Sequence, residues 1–135
     1  VIVVDANVIA YLWIECEHTR LAEKVLSRDP DWVAPLLWRS ELRSALSGQL
    51  RAGNLSLDHC FAVLDQASEQ MSGREYLPSS QEVMRLVQGS RASAYDCEYV
   101  ALARDLGVPL VTNDARLARG FPENVRSMAG FLRAR

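Results

Sequence analysis

Four acidic residues, Asp5, Glu41, Asp96 and Asp114, carry the chemistry that this sequence offers. Asp5 ends the apolar run Val1-Ile2-Val3-Val4, and Asp114 closes Pro109-Leu110-Val111-Thr112-Asn113. Both fall beyond the carboxyl ends of buried strands, where open parallel sheets bind ligands. Glu41 lies within a helical pattern and Asp96 near the start of another. Carboxylates gathered without partners repel one another, by about 4 kcal/mol for a pair about 4 Å apart at an effective dielectric of about 20. A domain held together by about 5–15 kcal/mol cannot absorb several such penalties. A divalent cation would turn the liability into a site, and hard carboxylate oxygens suit Mg²⁺ or Mn²⁺.

Each acid also has a plain structural reading. Asp5 and Asp114 stand where helix N-caps belong, and Asp96, three residues after Ser93, fits a capping box with Asp in place of Glu or Gln. Glu41 has Leu37, Trp38, Ser44 and Ala45 at its helical neighbour positions, so no local cation neutralises it. Glu98 shares that isolation. His18 and His59 lack partners at metal-ligand spacing, which argues against zinc. Cys16, Cys60 and Cys97 are odd in number and set in apolar helical patterns, so reduced core thiols are expected.

The elements that must position these residues follow from periodicity. Val1 to Asp5 reads as a buried strand, followed by Val8, Ile9, Leu12 and Trp13 at helical spacing. A second helix is predicted over Thr19 to Ser27, and Trp32-Val33-Ala34 as a short strand. Pro35 is expected to open the next helix, with Trp38, Leu42, Ala45, Leu46 and Leu50 on its apolar face and a stop at Gly53-Asn54. Ser56 caps a fourth helix, whose predicted stripe is Leu57, Phe61, Leu64 and Met71, as core or as a dimer surface. Glu75-Tyr76-Leu77 reads as a strand and Ser80 to Gln88 as a helix. Ser93 opens a helix with Tyr95, Tyr99, Leu102 and Leu106 on one face, ending at Gly107. Strand Leu110-Val111-Thr112 follows, then a short helix, a turn near Pro122 and a last strand or helix. Such alternation predicts an α/β fold, a mostly parallel sheet flanked by helices.

The chain has 135 residues, 49% of them hydrophobic, which suits one domain over residues 1–135. No apolar run is long enough to span a bilayer, and Asp5 follows the first strand without a charged leader, so a soluble, cytoplasmic protein without membrane attachment is expected. Val1 already stands in a strand, so an initiator residue is expected to precede it. Net charge is −2, from 15 basic and 17 acidic residues. Setting the four proposed ligands aside leaves 13 acids against 15 bases, so the balance is compatible with a nucleic-acid partner. All the bases but Lys24 are Arg, the better bidentate phosphate binder. Arg39 and Arg43 flank Glu41, and Arg116 and Arg119 follow Asp114; these four are candidate phosphate contacts.

Four segments in order resemble a PIN domain: Val3-Val4-Asp5-Ala6-Asn7-Val8-Ile9, Arg39-Ser40-Glu41-Leu42, the stretch from Ser93 to Ala103, and Leu110-Val111-Thr112-Asn113-Asp114-Ala115-Arg116-Leu117. The resemblance covers essentially the whole chain and is nearest to VapC-type toxins. It implies a three-layer fold with a central sheet of four to five strands. It also implies a metal-dependent endoribonuclease in which Asp5, Glu41, Asp96 and Asp114 hold Mg²⁺ or Mn²⁺. Asn7, Ser93 and Thr112 match accessory polar positions, while Asn113 occupies a variable one. RNA would be the substrate, cut to leave a 5′-phosphate and a 3′-hydroxyl. A small VapB-like antitoxin would restrain the toxin near its active site, and a homodimer would form through helices. Two other classes compete: a noncatalytic PIN-like interaction module whose acids are only caps, and an aspartate-based phosphatase or phosphotransfer domain. The second is disfavoured because Asn7 stands where a second Asp is wanted and Lys24 is at no strand end.

Overall fold

The computed structural model describes residues 1–134. Its elements are β1 (Ile2–Val4), α1 (Ala6–Trp13), α2 (Thr19–Arg28), β2 (Trp32–Pro35), α3 (Trp38–Arg51), α4 (Leu57–Gln70), β3 (Glu75–Tyr76), α5 (Ser80–Gln88), α6 (Ala94–Leu106), β4 (Leu110–Thr112), α7 (Ala115–Gly120), β5 (Val125–Ser127) and α8 (Met128–Arg133). The strands form one sheet in the order β3-β2-β1-β4-β5, and every neighbouring pair is parallel. The expected α/β architecture, a parallel sheet flanked by helices, is therefore present with five strands.

Strand order decides where a ligand can sit. From β1 the chain steps outward to β2 and β3, then returns past β1 to β4 and β5. Right-handed crossovers in the two directions send helices to opposite faces, which opens a crevice between the carboxyl ends of β1 and β4. The register Val3 with Leu110 and Val4 with Val111 brings those two ends level. Asp5 and Asp114 follow the paired ends on either side of the crevice.

The central strands are buried on both faces, as their unbroken apolar runs require. Trp32, Trp38, Tyr99, Ile2, Ile9 and Leu42 are the largest of the fully enclosed side chains. Helix α6 packs against β1, β2 and β4, and α1 against α2, α3 and β4. Gly107, at φ 66°, stops α6 in the left-handed conformation that a side chain would resist.

Several expectations are corrected. Pro35 ends β2 instead of opening α3. Ala34 and Leu36 donate to carbonyls on the β3 side, so the N–H that Pro35 lacks would face the β1 side, beyond the last paired residue, Val33. In α4, Cys60, Val63, Ala67 and Met71 are the buried set, while Leu57 and Phe61 face outward, each more than half exposed. The helix is apolar around more of its circumference than one stripe, so spacing alone could not choose the inner face. Tyr95 is exposed while Tyr99 and Leu102 are enclosed, and on α3 Ala45 and Leu50 stay outside the core. Cys60 and Cys97 are buried free thiols, but Cys16 is exposed in the turn between α1 and α2. Among the described residues, no helix is long and apolar enough to cross a membrane.

Candidate active site

Each of the four acids reaches the crevice by a different local device. Asp5 occupies the N-cap position of α1 with extended backbone, yet its side chain makes no capping bond. Its Oδ2 instead accepts a 2.7 Å hydrogen bond from Thr112 Oγ1, at the end of β4. The same hydroxyl oxygen accepts from the Asp114 amide at 3.0 Å and from Asn7 Nδ2 at 3.4 Å. Asp114 does cap α7, its Oδ1 accepting from the amides of Arg116 and Leu117 at 2.9 and 3.2 Å. Asp96 sits in the first turn of α6, its amide donating to the Ser93 cap hydroxyl at 3.0 Å. Glu41, in the first turn of α3, accepts at Oε1 from the buried Tyr99 hydroxyl at 2.6 Å.

All four carboxylates line one pocket of about 260 Å³. The rest of its lining is Ala6, Asn7, Ala10 and Ala45, so among the described residues it contains no Lys, Arg or His. Glu98, equally free of a local cation in the sequence, does not line it. The electrostatics follow from that composition. Burial pushes the Asp5 carboxyl up to about 6, the Thr112 bond works against it, and the charges of Glu41 and Asp96 add to it. Burial also raises Glu41, opposed by the Tyr99 bond and reinforced by Asp96. Asp96 is raised by burial first and by Asp114 next, while Ser93 and Arg116 pull the other way.

Hard carboxylate oxygens in a pocket with no basic side chain among its described lining are the donor set that Mg²⁺ or Mn²⁺ takes. Among the described residues, no three acidic, His or Cys side chains close into a cage around one point. An ion that keeps part of its water shell, as Mg²⁺ does, needs no such cage, and the four acids lining one pocket suit it.

Comparison with known proteins identifies the family. Residues 2–120 match the family model described as PIN domain. The chain belongs to the PIN-domain family. Ribonuclease VapC3 of Pyrobaculum aerophilum is 30% identical over 124 residues, covering 90% of this chain and 95% of that protein. The crystal structure of PAE2754 from the same organism matches the fold with a TM-score of 0.77 at 20% identity, over 97% of this chain and 92% of that one.

Beside the acidic pocket of this PIN domain lies a larger groove of about 790 Å³ that shares Asp96 and Asp114 with it. Arg91, Arg116 and Arg119 line the groove together with Ser90 and Ser93. Arg116 and Arg119, two of the four candidate phosphate contacts, thus line the groove that adjoins the acids. Arg39 does not reach either cavity: its guanidinium is clamped on Glu75 by bonds of 2.5 and 2.6 Å, and Trp38 Nε1 donates to the same carboxylate at 2.8 Å. Those bonds hold Glu75 below the usual carboxylate range, the Arg39 contact contributing most. Arg43 is exposed and donates to Ser40 Oγ at 3.1 Å, away from both cavities. Two residues escaped the sequence reading of the site. Arg91 lies in the connection before α6, with no motif around it, and Tyr99 read only as a core position.

Proposed function

We propose that this PIN domain is a divalent-metal-dependent endoribonuclease, the VapC-like toxin of a toxin–antitoxin pair. The observation that carries the reading is the convergence of four carboxylates from four separate elements on one pocket without a basic lining residue. Family membership and a relative named as a ribonuclease support it. Asp5, Glu41, Asp96 and Asp114 would hold Mg²⁺ or Mn²⁺. When bound, such an ion supplies Lewis acidity, which makes a water nucleophilic at neutral pH and offsets charge on the phosphate.

The chain's own residues then have distinct tasks. Thr112 orients Asp5 and ties it to the Asp114 backbone, so the two strand ends stay in register. Asn7, whose Oδ1 accepts from the Asn113 amide at 3.4 Å, presents its amide at the pocket wall to orient water or phosphate. Ser93 starts α6 so that Asp96 faces the crevice. Arg91, Arg116 and Arg119 bind backbone phosphates along the adjoining groove. In-line attack leaves a 5′-phosphate and a 3′-hydroxyl. A VapB-like antitoxin covers the site, the exposed Leu57 and Phe61 of α4 serve a homodimer, and residues 1–135 act as one domain in the cytoplasm.

The test is cleavage of 5′-labelled RNA with Mn²⁺, with chelator, and by Asp96→Asn. Cleavage that is lost under the second and third conditions supports the proposal. Cleavage that persists in chelator, or is equal in the variant, would overturn it, as would an inert wild type across transfer, ribosomal and messenger RNA.

A further inference from the structure

Three of the four acids are short or held by their own backbone surroundings. Asp114 is fixed by two amides of its own helix, Asp5 by the neighbouring strand's Thr112, and Asp96 stands three residues past its helix cap, its amide bonded to the Ser93 hydroxyl. Glu41 is different, because its longer side chain leaves the first turn of α3 and must be held at its far end. The only hydrogen bond to its carboxylate among the described residues comes from Tyr99, 58 positions away in sequence, at 2.6 Å. That hydroxyl is costly to bury, since Tyr99 has no exposed surface, and a phenylalanine would fill the same space between α6 and the sheet without a polar atom.

We infer that Tyr99 is a positioning residue for the cation: by engaging Glu41 Oε1 it holds the carboxylate at the pocket wall, with Oε2 left for the ion. The inference rests on the metal-dependent reading above. It gives the buried phenol a task that packing does not require, and it links α6, which carries Asp96, to α3, which carries Glu41. A single element therefore sets two of the four ligands, one directly and one through its neighbour. Partners that orient a ligand typically contribute ten- to a hundred-fold in metal affinity.

The test is calorimetric titration of Mn²⁺ into wild type, Tyr99→Phe, Glu41→Gln and the double variant, without nucleic acid, beside thermal unfolding of each in chelator. Tyr99→Phe should bind Mn²⁺ about ten-fold or more weakly while still fully folded at the temperature of the titration. In the Glu41→Gln background the same change should cost nothing further, because the carboxylate it positions is gone. Wild-type affinity in Tyr99→Phe would overturn the inference while leaving the nuclease reading intact. Weakening that is equal in both backgrounds would assign Tyr99 to packing and overturn it too. A wild type that binds no Mn²⁺ would remove the metal-dependent reading itself, and the inference with it.

Discussion

Replacing Asp5 with Asn should stabilise the metal-free protein at neutral pH while removing its metal response. The wild-type carboxyl is raised from 3.8 to about 6 by burial, with the charges of Glu41 and Asp96 adding to it. A raised carboxyl binds its proton more tightly in the folded than in the unfolded chain. The stability it lends is thus fully present below 3.8 and is lost as pH rises through about 6. That loss is roughly 3 kcal/mol at 1.36 kcal/mol per pH unit. An Asn at position 5 stays neutral, like the protonated acid, and the Thr112 bond to the charged form is already contained in the net shift. The expectation is a gain of about 3 kcal/mol at pH 7.5 in chelator, or about 9–15 °C in unfolding midpoint for a chain of this size. At pH 4, where the wild-type carboxyl is largely protonated, the gain should vanish. Mn²⁺ at a hundred times its dissociation constant would return about 2.7 kcal/mol to the wild type, nearly the whole penalty, and nothing to the variant. Thermal unfolding at both pH values, with and without Mn²⁺, reads all of these. A variant no more stable than wild type at pH 7.5, or one stabilised equally at pH 4, would refute the electrostatic reasoning. Equal Mn²⁺ stabilisation of both proteins would refute the assignment of Asp5 to the ion.

Three further outcomes follow from the same geometry. Thr112→Val leaves the buried Asp5 carboxylate and the Asp114 amide without their shared partner, so urea unfolding at pH 7.5 should show a loss of about 2–3 kcal/mol, smaller at pH 4. Replacing Arg91, Arg116 or Arg119 with Ala should lower the slope of log affinity for single-stranded RNA against log salt by about 0.7 each, measured by fluorescence anisotropy with Asp96→Asn protein. Arg39→Ala should leave that slope unchanged and lower the unfolding midpoint, because its guanidinium secures Glu75 on the β3 edge.

The strand-end acids were legible because their signal is local: an apolar run followed at once by Asp fixes both the element and the end of it, as at Asp5 and Asp114. Glu41 and Asp96 were legible chiefly as members of an ordered set, since either alone reads as a surface or cap residue. Tyr99 was hidden because nothing in a helical period distinguishes a phenol that packs from one that donates to an acid 58 residues away. Arg91 was hidden for the opposite reason: its connection has no period, and only the fold brings it beside Arg116. The inner face of α4 was misjudged because Leu57 and Phe61 are larger than Cys60 and Ala67, and size outweighed position in the reading of the stripe. Arg39 looked like a phosphate ligand because its partner, Glu75, lies on a strand whose place in the sheet spacing could not reveal.

The two outer strands of the sheet have a consequence for behaviour in a crowded solution. β3 is only two residues long, and Pro78 follows two positions after it, so its edge cannot be extended into a longer ladder. β5 is three residues long and is packed by both α7 and α8. An incoming extended segment would find at most one or two free backbone groups on either side. Edges this short are a poor template for strand-by-strand polymerisation, which leaves self-recognition to the helical surfaces.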